Sequence, residues 1–580
     1  MQASRQPLPE RVRATLATMR WIKLNKFIRR TYHLIVEEFR IEGWSDPRNR
    51  RLIIAASVFA MIAFLIRIFF WCYTGRTWED ALITVLHSEN FANGLGLTHY
   101  VTGQPPVHGF TSPLGVLIPL IGDLVKVGYG LSLIKLVSAV CGSIAVIFVA
   151  AIGIHPKFNI SRILLILPIG FVAFDYNQII WGMSGLETQM VTTILLMSIY
   201  YLLREKLFAT GILLGLCLLA RPDMVFWVII VGIYLLFTQR MRIVKAIIPA
   251  AVIYLPWLIF TVSYYGSPVP NTVTAKYVGY SWEFVRWDPS IFSLMYYVID
   301  GVKIVFRPLG PAFAGHGWVW LTPFGNSRLG ADVMQLFEPM ALLFIFIAIC
   351  FILIQKRKGL FPVGLFVVVY AGYYIFMVPG IFKWYLIPLA AVGILLSAYG
   401  IHKTIEVFIN PRFQKYFLAS IAAIWLISLV IVIPKDFKTE RQIQLYVDDD
   451  VRKEIGLYLS TVMEKDQSIG VEALGYIAYY SRRTVYDYPG LCNRKVVDYL
   501  KTLQPSQRNL YSVSEHFKPD YLVLRKSEYK WFQKIGADPW VLRDYQVIRW
   551  FEVDPAKTKG IWGIYANIDT SFVVLQKNET

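Results

Sequence analysis

Apolar runs close to the length of a bilayer crossing limit what this chain can become. They fall at 52–73, 133–154, 160–178, 186–203, 206–221, 223–238, 243–263, 339–355, 360–379, 381–402 and 416–434. A helix needs about 20 mostly apolar residues to cross ~30 Å of hydrocarbon. The runs are continuous rather than alternating, which excludes a transmembrane β-barrel. Of the 580 residues, 56% are hydrophobic, above the roughly 45–50% of soluble domains, and these runs hold the excess. The reading is a polytopic α-helical membrane protein of about eleven transmembrane helices.

Charge sets its orientation. The net charge is +19, and the basic residues gather in residues 1–51 and in short loops around Lys157, Arg204, Arg240, Lys356 and Arg412. Short loops loaded with Lys and Arg face the cytoplasm. None is long enough to make a groove-binding surface, so a nucleic-acid partner is not expected. Residues 1–51 are read as a cytoplasmic basic amphipathic segment on the anionic leaflet. The apolar stretch 113–127 is read as a juxtamembrane helix, because counting it as a span would move Lys157 and Arg162 outside. An odd number of spans puts the C-terminus outside.

Three domains follow: residues 1–51, a transmembrane domain 52–434 and an extracytoplasmic α/β domain 435–580. The last is large enough for a core of its own. It shows helical periodicity at 449–465 and strand patterns at 468–473, 484–487 and 521–525. The transmembrane domain carries a first outer loop, 74–132, expected to be catalytic, and a second, 264–338. No internal repeat is visible, which weakens a transporter reading. The five cysteines are isolated and read as buried thiols. Nucleotide-binding, zinc-protease and serine-hydrolase signatures are missing.

The candidates for chemistry share the outer face. Glu79 and Asp80 open the first outer loop. An inward carboxylate there could act as general base or bind a metal; equally, an acid there could cap a helix. Glu187 begins a span. Arg221 and Asp223 flank Pro222 at membrane depth, where unpaired charge is costly, so they form either a functional pair or a structural salt bridge. Lys276 and Lys383 stand at outer mouths, where the ordinary role is snorkelling. Taken together, the cations suit an anionic headgroup such as a phosphate. Trp282, Trp287, Trp318 and Trp320 offer flat faces to sugar rings or form the ordinary aromatic belt.

These strings also carry a family resemblance. WEDALITVLHSENFANGLGL, followed by VHGFTSPL, resembles the first outer loop of bacterial GT-C glycosyltransferases. SGLET at 184–188, LARPD at 219–223, YYGSPVPNTVTAK at 264–276 and KWYLIPL at 383–389 keep the same order. The C-terminal GVEALGYIAYYSRRTVYDYPGL and KPDYLVL are similar to the extracytoplasmic domain of that group. The resemblance runs from about residue 52 to the end. It is close to the mycobacterial arabinofuranosyltransferases, and more distant from aminoarabinose and protein mannosyl transferases.

The resemblance implies a GT-C fold in a bacterial cell membrane. It implies a polyprenyl-phosphate sugar as donor, a glycan or glycolipid acceptor outside the cytoplasm, and transfer with inversion. It implies no cofactor and no metal. The catalytic acid falls on Glu79 or Asp80: analogy with Asp-Glu transferases favours Glu79, and side-chain length favours Asp80. Arg221, Lys276 and Lys383 would hold the donor phosphate. Glu187 and Asp223 would support them, with His108, Asn271 and Tyr385 beside the substrates. His108 stands where the family often has Glu. The rival is a lipid-glycan flippase or transporter, which explains intramembrane charge but neither the acid pair nor the large outer domain.

Overall fold

The computed structural model describes residues 37–41, 46–99, 105–280, 291–309, 328–378, 380–535, 539–558 and 569–578. Most of the basic N-terminal segment and the four tryptophans of the second outer loop lie outside the described residues.

Helix α1, Arg50–Thr74, is the first apolar run and stops at Gly75, whose φ of 65 lets the chain turn sharply. The expected first outer loop then proves largely helical. Helix α2, Glu79–Ala92, starts after Trp78 and carries both acids in its first turn, where the helix dipole favours negative charge. Helix α3, Pro113–Val125, falls in the apolar stretch 113–127, with Ser112 as N-cap and Pro113 at its first position, as helix starts favour. The polar look of the segment concealed α2. Its Ala81, Leu82, Ile83, Val85 and Leu86 are all buried, because protein surrounds this helix on more than one side.

The bundle continues with α4 (Gly130–Ile154), α5 (Ile166–Phe174), α6 (Tyr176–Met183), α7 (Thr188–Leu203) and α8 (Leu207–Ala220). It is completed by α9 (Val225–Gln239), α10 (Val244–Tyr265), α11 (Asn271–Gly279), α12 (Ile291–Phe306), α13 (Arg328–Ile354), α14 (Phe361–Met377) and α15 (Ile387–Phe408). Among the described residues, four helical segments are long and apolar enough to cross a membrane, or five if α6 and α7, bent by 115° at their junction, count as one span. Shorter apolar helices occur at Pro113–Val125, Leu207–Ala220, Met340–Ile354 and Phe361–Met377. The molecule is a multi-pass helical membrane protein.

Helix α16, Pro411–Gln442, runs on through a π-helical stretch, Ile443–Lys453, into α17, Glu454–Val462. It thus leads from the apolar bundle into the C-terminal region, whose five-stranded sheet has the order β2-β1-β3-β5-β4. Strand β1 (Ser468–Val471) pairs in parallel with β2 (Thr484–Asp487) and β3 (Tyr521–Arg525). Strand β5 (Ser571–Lys577) pairs antiparallel with β3 and β4 (Tyr545–Glu552). Strands β2 and β3 lie at the bounds their sequence patterns indicate. Helices α18 (Leu474–Ser481), α19 (Arg494–Thr502) and α20 (Leu510–Phe517) connect the first three strands.

Two packing clusters meet on α2. Trp78 and Ala81 belong with Phe70, Trp181 and Trp384 of the bundle. Ile83 belongs with Val451, Ile455, Leu474 and Ile477 of the C-terminal region. Helix α18 approaches so closely that a Cβ on Gly475 would sit 2.4 Å from the Cβ of Glu79. At the far end of α2, buried Glu89 pairs with Arg482 and accepts from the Tyr479 hydroxyl. The helix with the acids is therefore held on one side by the bundle and on the other by the C-terminal region.

Candidate active site

Three aromatic side chains set the frame. Trp78, Trp181 and Trp384 pack with ring centroids 4.8, 5.5 and 5.3 Å apart, and the Trp78 backbone N–H donates to Ser184 O at 2.8 Å. This knot ties the start of α2 to the α6–α7 corner and to the turn Lys383–Leu386. Motifs far apart in sequence thereby reach one place.

Adjacent positions on a helix differ by about 100° around its axis, and the two acids part accordingly. Glu79 accepts a hydrogen bond from Arg452 Nη2 at 3.0 Å. The same guanidinium donates to Asp569 at 2.6 Å and to Asp448 at 3.0 Å. Asp448 pairs in turn with Arg76, whose Nε donates to Glu440 at 2.8 Å. On the other side, Asp569 pairs with Arg525, which also holds Glu472 and Glu528. This is a buried ladder in which each guanidinium meets at least two carboxylates, as buried charge requires. Burial pushes the Glu79 carboxyl up to about 7 against the pull of Arg452.

Asp80 faces elsewhere. Its Oδ2 lies 3.8 Å from Lys276 Nζ, and both side chains keep some exposure, 28% and 21%. It borders a small pocket with Thr84, Thr111, Glu187, Thr272 and Lys276. Burial raises the Asp80 carboxyl, and the ammonium of Lys276 works against that rise. Lys276 also donates to the Tyr385 hydroxyl at 3.0 Å. Burial opposes its charge, but Tyr385 and Asp80 more than offset this and hold it up at about 12.

Lys276, Tyr385 and Thr111 also border a second, larger cleft of about 740 Å³, open to solvent, with Arg221 and several tyrosines in its wall. Arg221 pairs with Asp223, donates to Tyr374 OH at 2.9 Å and to Trp384 O at 3.3 Å, and lies 4.7 Å from the Tyr385 ring. Asp223 accepts from Tyr370 OH at 2.7 Å. The arginine is thus structurally anchored while lining the cleft. The two pockets meet at a shared wall that includes Lys276, with a carboxylate on one side and a second cation on the other.

Other sequence candidates land differently. Glu187 borders the small pocket. Lys383 is exposed and borders neither pocket, because its neighbours Trp384 and Tyr385 occupy the inward positions. His108 is stacked on Tyr265 at 4.6 Å among aromatic rings, and its ring nitrogens have no hydrogen-bond partner among the described residues. Burial holds it neutral, down at about 3. Asn271 Nδ2 donates to Gly490 O at 2.8 Å and Leu491 O at 3.1 Å, clamping α11 to the C-terminal region. Sequence reasoning missed Arg452, Asp448 and Asp569, which decide the surroundings of Glu79. The acidic run at 448–450 followed by Arg452 in a helical stretch was the available signal. Among the described residues, no three His, Cys, Asp or Glu side chains gather as a metal set.

Residues 436–569 match the family described as Domain of unknown function (DUF8728). No curated protein matches the chain in sequence. Among solved structures, the archaeal oligosaccharyltransferase AglB from Archaeoglobus fulgidus, in complex with an inhibitory peptide and a dolichol-phosphate, is similar at 12% identity and a TM-score of 0.51. That likeness covers 93% of this chain and 77% of that one. The apo form of the Archaeoglobus fulgidus oligosaccharyltransferase matches with a TM-score of 0.51 at 12% identity, over 89% of this chain and 74% of that one. ArnT from Cupriavidus metallidurans, bound to undecaprenyl phosphate, matches at 12% identity over 89% of this chain and 97% of that one, with a TM-score of 0.45. The chain shares the GT-C fold of the archaeal enzyme.

Proposed function

We propose that this protein is a membrane glycosyltransferase. It moves a sugar from a polyprenyl-phosphate donor to a glycan or glycolipid acceptor on the outer face of a bacterial cell membrane. The observation that carries this reading is the junction of two pockets at Lys276, with Asp80 in one and Arg221 in the other. A lipid phosphate in the larger cleft would meet Lys276 and Arg221, and the acceptor hydroxyl would enter the smaller pocket beside Asp80.

Asp80 takes the proton from that hydroxyl as general base. The oxygen attacks the anomeric carbon from the face opposite the phosphate, and the new C–O bond forms as the sugar–phosphate bond breaks. The polyprenyl phosphate leaves with the electron pair, its charge met by Lys276 and Arg221. Attack from the opposite face inverts the anomeric centre. Those two cations supply the positive charge the leaving group needs, so no cofactor or metal is assigned, and a chelator is expected to leave the rate unchanged. Glu187 supports Lys276 and the acceptor, and Asp223 holds Arg221. Glu79 is not the base, since Arg452 occupies it. In this reading an eleven-span topology puts the N-terminus in the cytoplasm and the site and C-terminal domain outside.

The test is transfer of radiolabelled sugar from a panel of polyprenyl-phosphate sugars, comparing wild type with Asp80→Asn and Glu79→Gln at equal expression. Loss with Asp80→Asn alone supports the reading. Donor binding without transfer across the panel would favour a lipid-glycan flippase or transporter instead.

A further inference from the structure

The small pocket is not made by the bundle alone. Leu491, from the segment after β2, forms part of its wall opposite the bundle residues Trp384 and Leu186. That segment is firmly set. The Asp487 carboxylate accepts from the backbone N–H groups of Leu491 and Cys492. Asn493 Nδ2 donates to Val485 O at 2.7 Å.

The same segment is bolted to α11 at both ends. Asn271 at the start of α11 holds the carbonyls of Gly490 and Leu491. At its end, the Tyr488 hydroxyl donates to Gly279 O at 2.7 Å, and Pro489 lies so near that a Cβ on Gly279 would sit 2.1 Å from it. Between these bolts α11 presents Thr272 and Lys276 to the pocket. Lys276 and the Leu491 wall are therefore tied together through α11.

From this geometry we infer that Leu491 is a specificity-determining residue for the acceptor, which is a sugar ring resting its apolar face on Leu491. The pocket's chemistry fits such a ring. Hydroxyls from Thr84, Thr111 and Thr272 and the Glu187 carboxylate suit ring hydroxyls, and Asp80 stands beside the one that reacts. Leu491 is only half-buried, so replacing it does not open the core. The inference rests on the glycosyl-transfer reading above.

The experiment uses the full-length protein in detergent with undecaprenyl-phosphate sugars as donors and octyl glycosides of differing ring size as acceptors. Binding of undecaprenyl phosphate is measured separately. With Leu491→Ala, the acceptor KM is expected to rise about 10–200-fold, the range for methylene-scale changes in an apolar pocket, with a shift toward bulkier rings. Leu491→Trp is expected to abolish transfer while undecaprenyl phosphate binds as in wild type, and Leu491→Met to stay near wild type. If wild type transfers but the Ala and Trp variants keep its acceptor KM and preference, the inference is wrong and the function stands. Loss of lipid-phosphate binding together with transfer would overturn it as well. If wild type transfers to no acceptor from any donor, the glycosyltransferase reading itself fails, and this inference with it.

Discussion

Two groups of buried charge stand side by side on α2, and they are built to opposite rules. The ladder through Arg76, Asp448, Arg452 and Asp569 is closed, its members almost fully buried and each paired more than once. The Asp80–Lys276 pair is open: the ions are 3.8 Å apart and partly exposed at the junction of two cavities. The closed group is sealed from solvent, its charges already paired with one another. The open group can exchange its partner for one. Residue type does not separate them, since both begin with a carboxylate in the same helical turn.

The contrast can be broken most forcefully at the open pair. Asp80→Asn keeps size and removes the proton acceptor, so turnover should fall by about 10²–10⁴-fold with the melting temperature unchanged; activity near wild type would erase the distinction. The closed group should answer in stability instead. Arg452→Met takes the arginine from Glu79 and leaves Asp448 and Asp569 with one guanidinium each, and breaking a buried pair costs about 3–5 kcal/mol, readable as a lower unfolding temperature in micelles. Lys276→Met should cost about 10²–10³-fold in turnover, as expected for loss of a group meeting transition-state charge, with the fold retained. Glu79→Gln, which keeps a hydrogen-bond acceptor for Arg452, should cost less than about tenfold. A dead Glu79→Gln beside an active Asp80→Asn would exchange the two roles.

The pH profile sharpens the same contrast. A base works only when deprotonated, so activity should fall as pH drops through the Asp80 value, which burial places above the usual carboxylate range. Lys276, held at about 12, stays charged through neutral pH, so its loss should not curtail the rate at moderately alkaline pH. In Asp80→Asn the acid limb should vanish. If the limb persists there and disappears in Glu79→Gln, the titrating group is Glu79.

Much of this was legible in the sequence, for identifiable reasons. Helix α1 and strands β2 and β3 follow from local pattern alone. The gathering of Asp80, Glu187, Arg221 and Lys276 was suggested by their common sidedness. The different surroundings of Glu79 and Asp80 were not readable, because those of Glu79 depend on Arg452, 373 positions away. Lys383 lies outside both pockets because the Lys-Trp-Tyr string turns its aromatic residues inward and leaves the lysine exposed. His108 stands out in sequence through its place in a motif, and its surroundings are the rings of Phe110 and Tyr265. Helix α2 was hidden because a helix wrapped by two partners lacks the one-sided apolar stripe by which amphipathic helices are recognised.

The missing side chain at Gly475, against the backbone of Glu79, bears on how such a protein can be re-engineered. Exchanging residues 435–580 for a related domain would not graft a new module onto a finished catalyst. Any donor domain would need a comparably bare spot at that contact, or the first turn of α2 would be displaced and Asp80 with it. A chimera carrying alanine there should therefore lose turnover before it loses acceptor binding, and a compensating trim on α2, rather than any change in the pockets, should be what restores it.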